Sequence, residues 1–320
     1  MTTTTVVSPP AVAVPLRRPN LLQRMARNRL SVFGMAGASI ILLVAILGPF
    51  LAPYDPTALS PARLRPPSPE HLMGTENFGR DVLSRFLYGS RVSVFVSLGS
   101  VAFALVVGAL AGMVAGLRSG TWLDTLIMRG MDVILAFPLI VLAAVLSGVL
   151  GTRTLELGPI TITNIVIVTF AIGVVLMPVF GRVARASVLA ETREDYILAA
   201  RSFGARTRDL LFGNLLPNIQ APLIVQAAFA LAVAIAVEAA LSFLGLGVQP
   251  PEASWGTMLS DARRFLLLGA WWLVLFPALA IALAVLSFNL VGDALRDALD
   301  PRARTIVGEA ASEPGAERSP

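Results

Sequence analysis

Six apolar runs, each at least as long as the roughly 20 residues needed to cross a hydrocarbon layer, constrain this chain more than any single motif. They cover Leu30–Leu51, Val92–Leu117, Leu123–Leu150, Thr161–Val183, Ile219–Leu244 and Leu266–Leu290. With 56% hydrophobic and 14% charged residues and a mean hydropathy of +0.76, a chain of 320 residues is too apolar for a soluble domain. The expected fold class is an all-α integral membrane protein with about six transmembrane helices.

The runs divide the chain. Residues 1–29 form an N-terminal segment, of which 1–15 are Thr- and Pro-rich and read as disordered. Arg17, Arg18, Arg24, Arg27 and Arg29 follow with no acid among them, which predicts a cytoplasmic N-terminus. Residues 30–51 exceed the core of a signal peptide and read as a retained first span. Residues 52–91 are expected to be an external loop, and 92–294 a five-helix core containing a polar loop at 187–217. An even number of spans returns the tail, 295–320, to the cytoplasm.

Several chemistries are excluded by residue type. The chain has no cysteine, hence no disulfide, thiolate nucleophile or cysteine-ligated metal. Its one histidine, His71, lies in a Pro-rich segment and is expected to be solvated; no metal site or serine triad can be built around it. It also has no lysine, and a phosphate-binding P-loop needs one to reach the β and γ phosphates. Any ATP must therefore be hydrolysed elsewhere. The net charge of +5 follows from arginine placed for topology, so nucleic acid is not expected as a partner.

Glu191–Asn218 is a polar, charge-laden interruption between two long apolar runs. Thr192 can serve as N-cap of a short helix with Glu194 and Asp195 in its first turn, and Gly204 falls where a left-handed C-terminal cap belongs. Tyr196, Ala199, Ala200 and Phe203 share one face of that helix, small in the middle and aromatic at both ends. Such a face suits a socket on a partner protein. It also suits a helix lying in the headgroup region, and periodicity alone does not separate the two.

Within the spans, Gly108, Gly112 and Gly116 make a small-residue ridge for close helix packing. Pro138, Pro178 and Pro277 permit bends in the third, fourth and sixth runs. Glu238 is the only acid well inside an apolar run. Intramembrane charges often serve function, but its place near one end of the run also allows a packing role. Gln226, Asn164 and Ser242 are further candidates to line a translocation path.

The order Leu198, Ala199, Ala200, then Gly204, Leu216 and Pro217 resembles the EAA loop of ABC importer permeases, with Leu198 standing where that motif has glutamate. Glu238–Met258 and Met73–Ser93 resemble blocks of the C-type permeases of dipeptide, oligopeptide and nickel importers. The resemblance covers roughly Arg24 to Arg302. It implies a type I permease bundle in a bacterial inner membrane, paired with a homologous permease, two ABC ATPases and an extracytoplasmic binding protein. ATP and Mg would sit on the ATPases, and this chain would hold no cofactor or metal and catalyse no bond change. Glu194, Asp195, Tyr196, Ala199, Ala200, Phe203, Gly204, Leu216 and Pro217 would couple to the ATPases. The implied cargo is di- or oligopeptides, with nickel or another small solute as the alternative. An ATP-independent transporter or an intramembrane enzyme is the reading from other classes.

Overall fold

A computed structural model describes residues 21–26, 28–150, 155–157 and 160–299. The expected disordered lead, Arg17, Arg18, Arg27 and the tail from residue 300 onward lie outside these. Among the described residues, five continuous helices are long and apolar enough to span a bilayer, and a bent pair makes a sixth when its two helices are taken as one span.

A short helix α1 (Leu21–Met25) precedes α2 (Arg29–Leu51), which starts where the Asn28 side chain accepts the Leu30 N–H at 3.0 Å. Residues 52–81 then form an ordered connection. The loop expected over 52–91 is shorter than that because Asp81 caps α3 (Val82–Leu117) through the Ser84 N–H at 2.8 Å, so the helix begins ten residues before the apolar run. His71 is not simply solvated: its Nδ1 lies 2.9 Å from Asp81 Oδ1, and its ring packs 5.0 Å from that of Tyr54. Glu76 pairs with both Arg80 and Arg85, and fastens this segment to α3.

The third span is the main departure from the sequence reading. Instead of one helix over 123–150 it is α4 (Trp122–Leu135) followed by α5 (Leu139–Leu150), their axes at 95°. Pro138 lacks an N–H and disfavours helical geometry at Phe137, so the ladder stops there. Pro178 and Pro277, by contrast, lie inside helices that continue past them.

A two-residue-spaced hairpin, β1 (Leu155–Leu157) and β2 (Ile160–Ile162), pairs antiparallel and leads into α6 (Asn164–Glu191). A short helix α7 (Asp195–Ser202) and a turn α8 (Thr207–Asp209) follow. Next comes a π-helical stretch, Leu210–Leu215, continuous with α9 (Leu216–Phe243). The Leu216 N–H bonds Leu211 O, and this wider turn accommodates Pro217, whose ring excludes an ordinary α-helical bond. α10 (Trp255–Ala262) packs back on α9, and α11 (Trp272–Leu299) closes the bundle. The last span thus starts six residues later than expected, after a 3-10 turn at Leu266–Leu268, and runs into the region expected to be tail.

α3 and α6 run parallel and form the centre. Between lipid-immersed helices apolar association gains little, so close backbone contact must supply the attraction. The glycine ridge provides it: a Cβ at Gly108 would strike the Met177 carbonyl, one at Gly112 the Gly181 carbonyl, and one at Gly116 the Val188 side chain. Met113, Ile172, Phe180, Leu215, Ile235 and Leu241 are buried around this seam.

Candidate functional site

The two ends of the bundle carry different chemistry. At one end, α6 runs on to Glu191 and is closed by the Thr192 N–H to Val188 O at 2.9 Å. Thr192 is therefore the C-cap of α6, not the N-cap of α7. The carbonyl of Glu194 takes the N-terminal position instead, accepting from Ile197 at 3.0 Å and Leu198 at 3.3 Å. Glu194 and Asp195 are both exposed at this positive helix end.

Ile197 is fully buried and anchors α7. The opposite face presents Tyr196, Ala199 and Phe203 to the surroundings, Phe203 with 92% of its surface free, while Ala200 is half-buried. The face read from the sequence is thus the one turned outward. Gly204 adopts φ +79° and the Ala205 N–H returns to Ala200 O at 3.0 Å, a left-handed cap that a side chain at 204 would strain.

The Tyr196 phenol also ties the end together. It donates to Glu191 Oε2 and accepts from Asn218 Nδ2 at 2.7 Å, and Asn218 Nδ2 also donates to Asn214 O at 2.9 Å. Burial and the Glu191 carboxylate hold this phenol above its ordinary ionisation range. Pro217 is exposed and Leu216 half-buried beside the π-helical stretch. α7 is consequently fastened to the end of α6 and the start of α9 at once.

At the other end, Glu238 is completely buried in the last turns of α9. Ser242 Oγ donates to its Oε1 at 2.8 Å and accepts the Val248 N–H at 3.1 Å. The Ser93 and Ser254 hydroxyls approach the same carboxyl, and Oε2 has no hydrogen-bond partner of good geometry. Ser93 Oγ accepts the Trp255 N–H at 3.2 Å, and Ser254 caps α10 in a reciprocal box with Thr257. Glu238 and Ser242 therefore hold the segment after α9 and the start of α10 onto α9 and α3. Asn164, 8% exposed, accepts the Gln249 N–H at 3.1 Å and serves the same segment. Gln226 is half-buried, some three turns away on α9, and does not join them.

Sequence reasoning missed the ion pairs between α4 and α6. Arg185 grips Asp124 with Nε on Oδ1 at 2.7 Å and Nη2 on Oδ2 at 2.8 Å, and Arg182 Nη2 meets Asp132 Oδ1 at 2.7 Å. The available signal was two arginines at i, i+3 at the end of one apolar run and two aspartates in the run before it; Asp132 lies well inside that run, so Glu238 is not the only acid within one. It carries no pairing information until the helices are placed side by side.

Residues 108–305 match the family described as binding-protein-dependent transport system inner membrane component, and residues 20–67 match the N-terminal TM domain of oligopeptide transport permease C. The chain is similar to the dipeptide transport system permease protein DppC of Escherichia coli, 42% identical over 93% of this chain and 96% of that protein. It resembles the di/tripeptide transport system permease protein DppC of Pseudomonas aeruginosa at 41% identity, over 94% of this chain and 97% of that one. The dipeptide transport system permease protein DppC of Alkalihalophilus pseudofirmus is 41% identical over 88% and 89% respectively.

Proposed function

The chain belongs to the family of binding-protein-dependent transport system inner membrane components, the permease subunits of ABC importers, and we infer from this that it carries di- or oligopeptides. It does so beside a second, homologous permease. Two ABC ATPases supply the energy, binding ATP and Mg on their own chains, and an extracytoplasmic protein delivers the cargo. The observation that carries the reading of mechanism is α7: a helix pinned from behind by Ile197 and tied through the Tyr196 hydroxyl, which turns the Tyr196 ring, Ala199 and Phe203 outward. Small residues between aromatic ends let a protein cleft approach the backbone.

In this reading the α7 end faces the cytoplasm, where ATP is, and both termini lie on that side. The α10 end faces outward and receives the binding protein. Closure of the ATPases displaces α7, and because α7 is tied to both α6 and α9 the spans rock between two accesses. Glu238, Ser242 and Asn164 belong to the outer closure of the path, and Gln226 to its wall.

The test is reconstitution of this chain with its partner permease, ATPases and binding protein in lipid vesicles. ATP-dependent accumulation of labelled dipeptides is the expected result. Accumulation of nickel but not peptide would reassign the cargo, and accumulation without ATPases would overturn the mechanism.

A further inference from the structure

We propose that the Asp124–Arg185 pair, seconded by Asp132–Arg182, is the linkage through which displacement of α7 reaches the broken span α4–α5. The proposal rests on the reading of α7 as the ATPase docking helix. These four side chains are positioning residues: among the described residues their hydrogen bonds and ion pairs join α4 and its N-terminal turn to α6, and none reaches α7.

The argument follows the path of rigid contact. Tyr196 bonds Glu191, the last residue of α6, and α6 is an unbroken helix from there back through Arg185 and Arg182. Arg185 lies six residues from Glu191, about 9 Å along the axis, so displacement of the α6 end moves the guanidinium directly. Its grip on Asp124 is bidentate, fixing orientation as well as distance. Asp124 is 5% exposed and also accepts the Gly120 N–H at 3.1 Å, so the start of α4 follows its carboxylate. Further along α4, the Met131 side chain fills the position where a Cβ of Gly181 would stand, and Asp132 meets Arg182 beside it. Contacts at residues 124, 131 and 132 thus hold α4 along α6 over two turns.

Beyond the break, α5 is bound to the opposite end of the molecule. Ser147, fully buried, donates to the carbonyl of Leu246, in the segment that Ser242 and Glu238 hold to α9. The bent span therefore has its first arm on α6 close to α7, while its second arm packs on α6 and α9 and reaches the segment before α10 through Ser147. Two stiff arms at 95° turn a displacement of the first into a swing of the second. Cutting a mere brace would lower assembly, ATP hydrolysis and uptake together and leave uptake per ATP unchanged, whereas cutting a linkage lowers uptake per ATP.

The complete transporter in vesicles is assayed for peptide taken up per ATP hydrolysed. Asp124→Asn and Arg185→Gln are each expected to assemble and hydrolyse ATP while uptake per ATP falls about tenfold, and the exchange Asp124→Arg with Arg185→Asp to recover most of it. Unchanged uptake per ATP in the single variants, or no recovery on exchange, overturns the proposal. If the buried pair is needed for insertion, the half-exposed pair decides. Asp132→Cys with Arg182→Cys, bridged by a bifunctional thiol reagent in this cysteine-free chain, must leave uptake intact because α4 and α6 move as one, and arrest by the bridge overturns the linkage. A wild-type complex that shows no ATP-driven uptake in the same assay would instead sink the reading of function.

Discussion

Asn218 Nδ2 stands 2.7 Å from the Tyr196 hydroxyl, a hydrogen bond that fastens the exposed helix α7 to the first turn of the helix bearing Glu238. One phenol thus serves two ends: its ring faces a partner, and its oxygen holds the lever to the bundle.

Removing that oxygen separates the two roles. Tyr196→Phe keeps the ring and is expected to leave ATPase copurification intact while lowering peptide uptake several-fold, in line with the loss of hydrogen bonds worth about 1 kcal/mol each. Asn218→Ala should do the same, and the double variant should cost no more than either single change. Additive losses would mean that the two side chains act independently.

Phenol ionisation gives a second handle. Burial and the Glu191 carboxylate favour the neutral form of Tyr196, so its pKa in the folded state lies above the ordinary value of 10.0. The tie is then fully present below the unfolded value and is lost only as pH rises through the higher, folded one. With Tyr54→Phe and Tyr88→Phe, Tyr196 is the only tyrosine of three that remains, and its phenolate absorbance should appear later in an alkaline titration than that of free tyrosine. Adding Glu191→Gln should bring it back toward the ordinary range.

On the docking face, Ala199→Arg and Gly204→Val are expected to leave membrane insertion unchanged and to abolish peptide uptake and ATPase copurification. The first fills the space a cleft would occupy; the second forces a β-branched residue to φ +79°, a cost of about 1–2 kcal/mol that unwinds the cap. Normal ATPase copurification with Ala199→Arg would speak against docking through this face.

The buried carboxyl at the other end is expected to act through packing. Glu238→Gln preserves shape and can still accept from Ser242, whereas Glu238→Ala leaves a cavity and a buried hydroxyl without its acceptor. Thermal unfolding in detergent should show Glu238→Ala less stable by about 2–4 kcal/mol and Glu238→Gln close to wild type. A reversal of that order would mean that the charge itself, not the fit, is what the site requires.

The spans and the glycine ridge were legible in the sequence because lipid imposes length and close packing imposes small residues. Gly112 against Gly181 is the contact that the ridge foretold. Ala199, Phe203 and Gly204 were legible for a local reason, since face and cap depend on neighbours a few residues away. What stayed hidden depends on distant parts of the chain. Thr192 had the chemistry of an N-cap, but α6 outran its apolar run and claimed the residue as its own end. Pro138 was one proline among several in apolar runs. It breaks its helix while Pro178 does not, and the packing of α6 against α3, which accompanies an unbroken ladder at Pro178, appears in no local pattern. His71 found Asp81, and Arg185 found Asp124, only once separate segments met.

The central claim is that the α7 face receives the ATPases inside the cell. Ala199→Cys places a single thiol in a chain that otherwise has none. In intact cells it should resist an impermeant thiol reagent, and in inverted membranes it should cross-link to an ATPase subunit through a short bifunctional reagent. Labelling from outside intact cells, with no cross-link to the ATPase, would contradict the account.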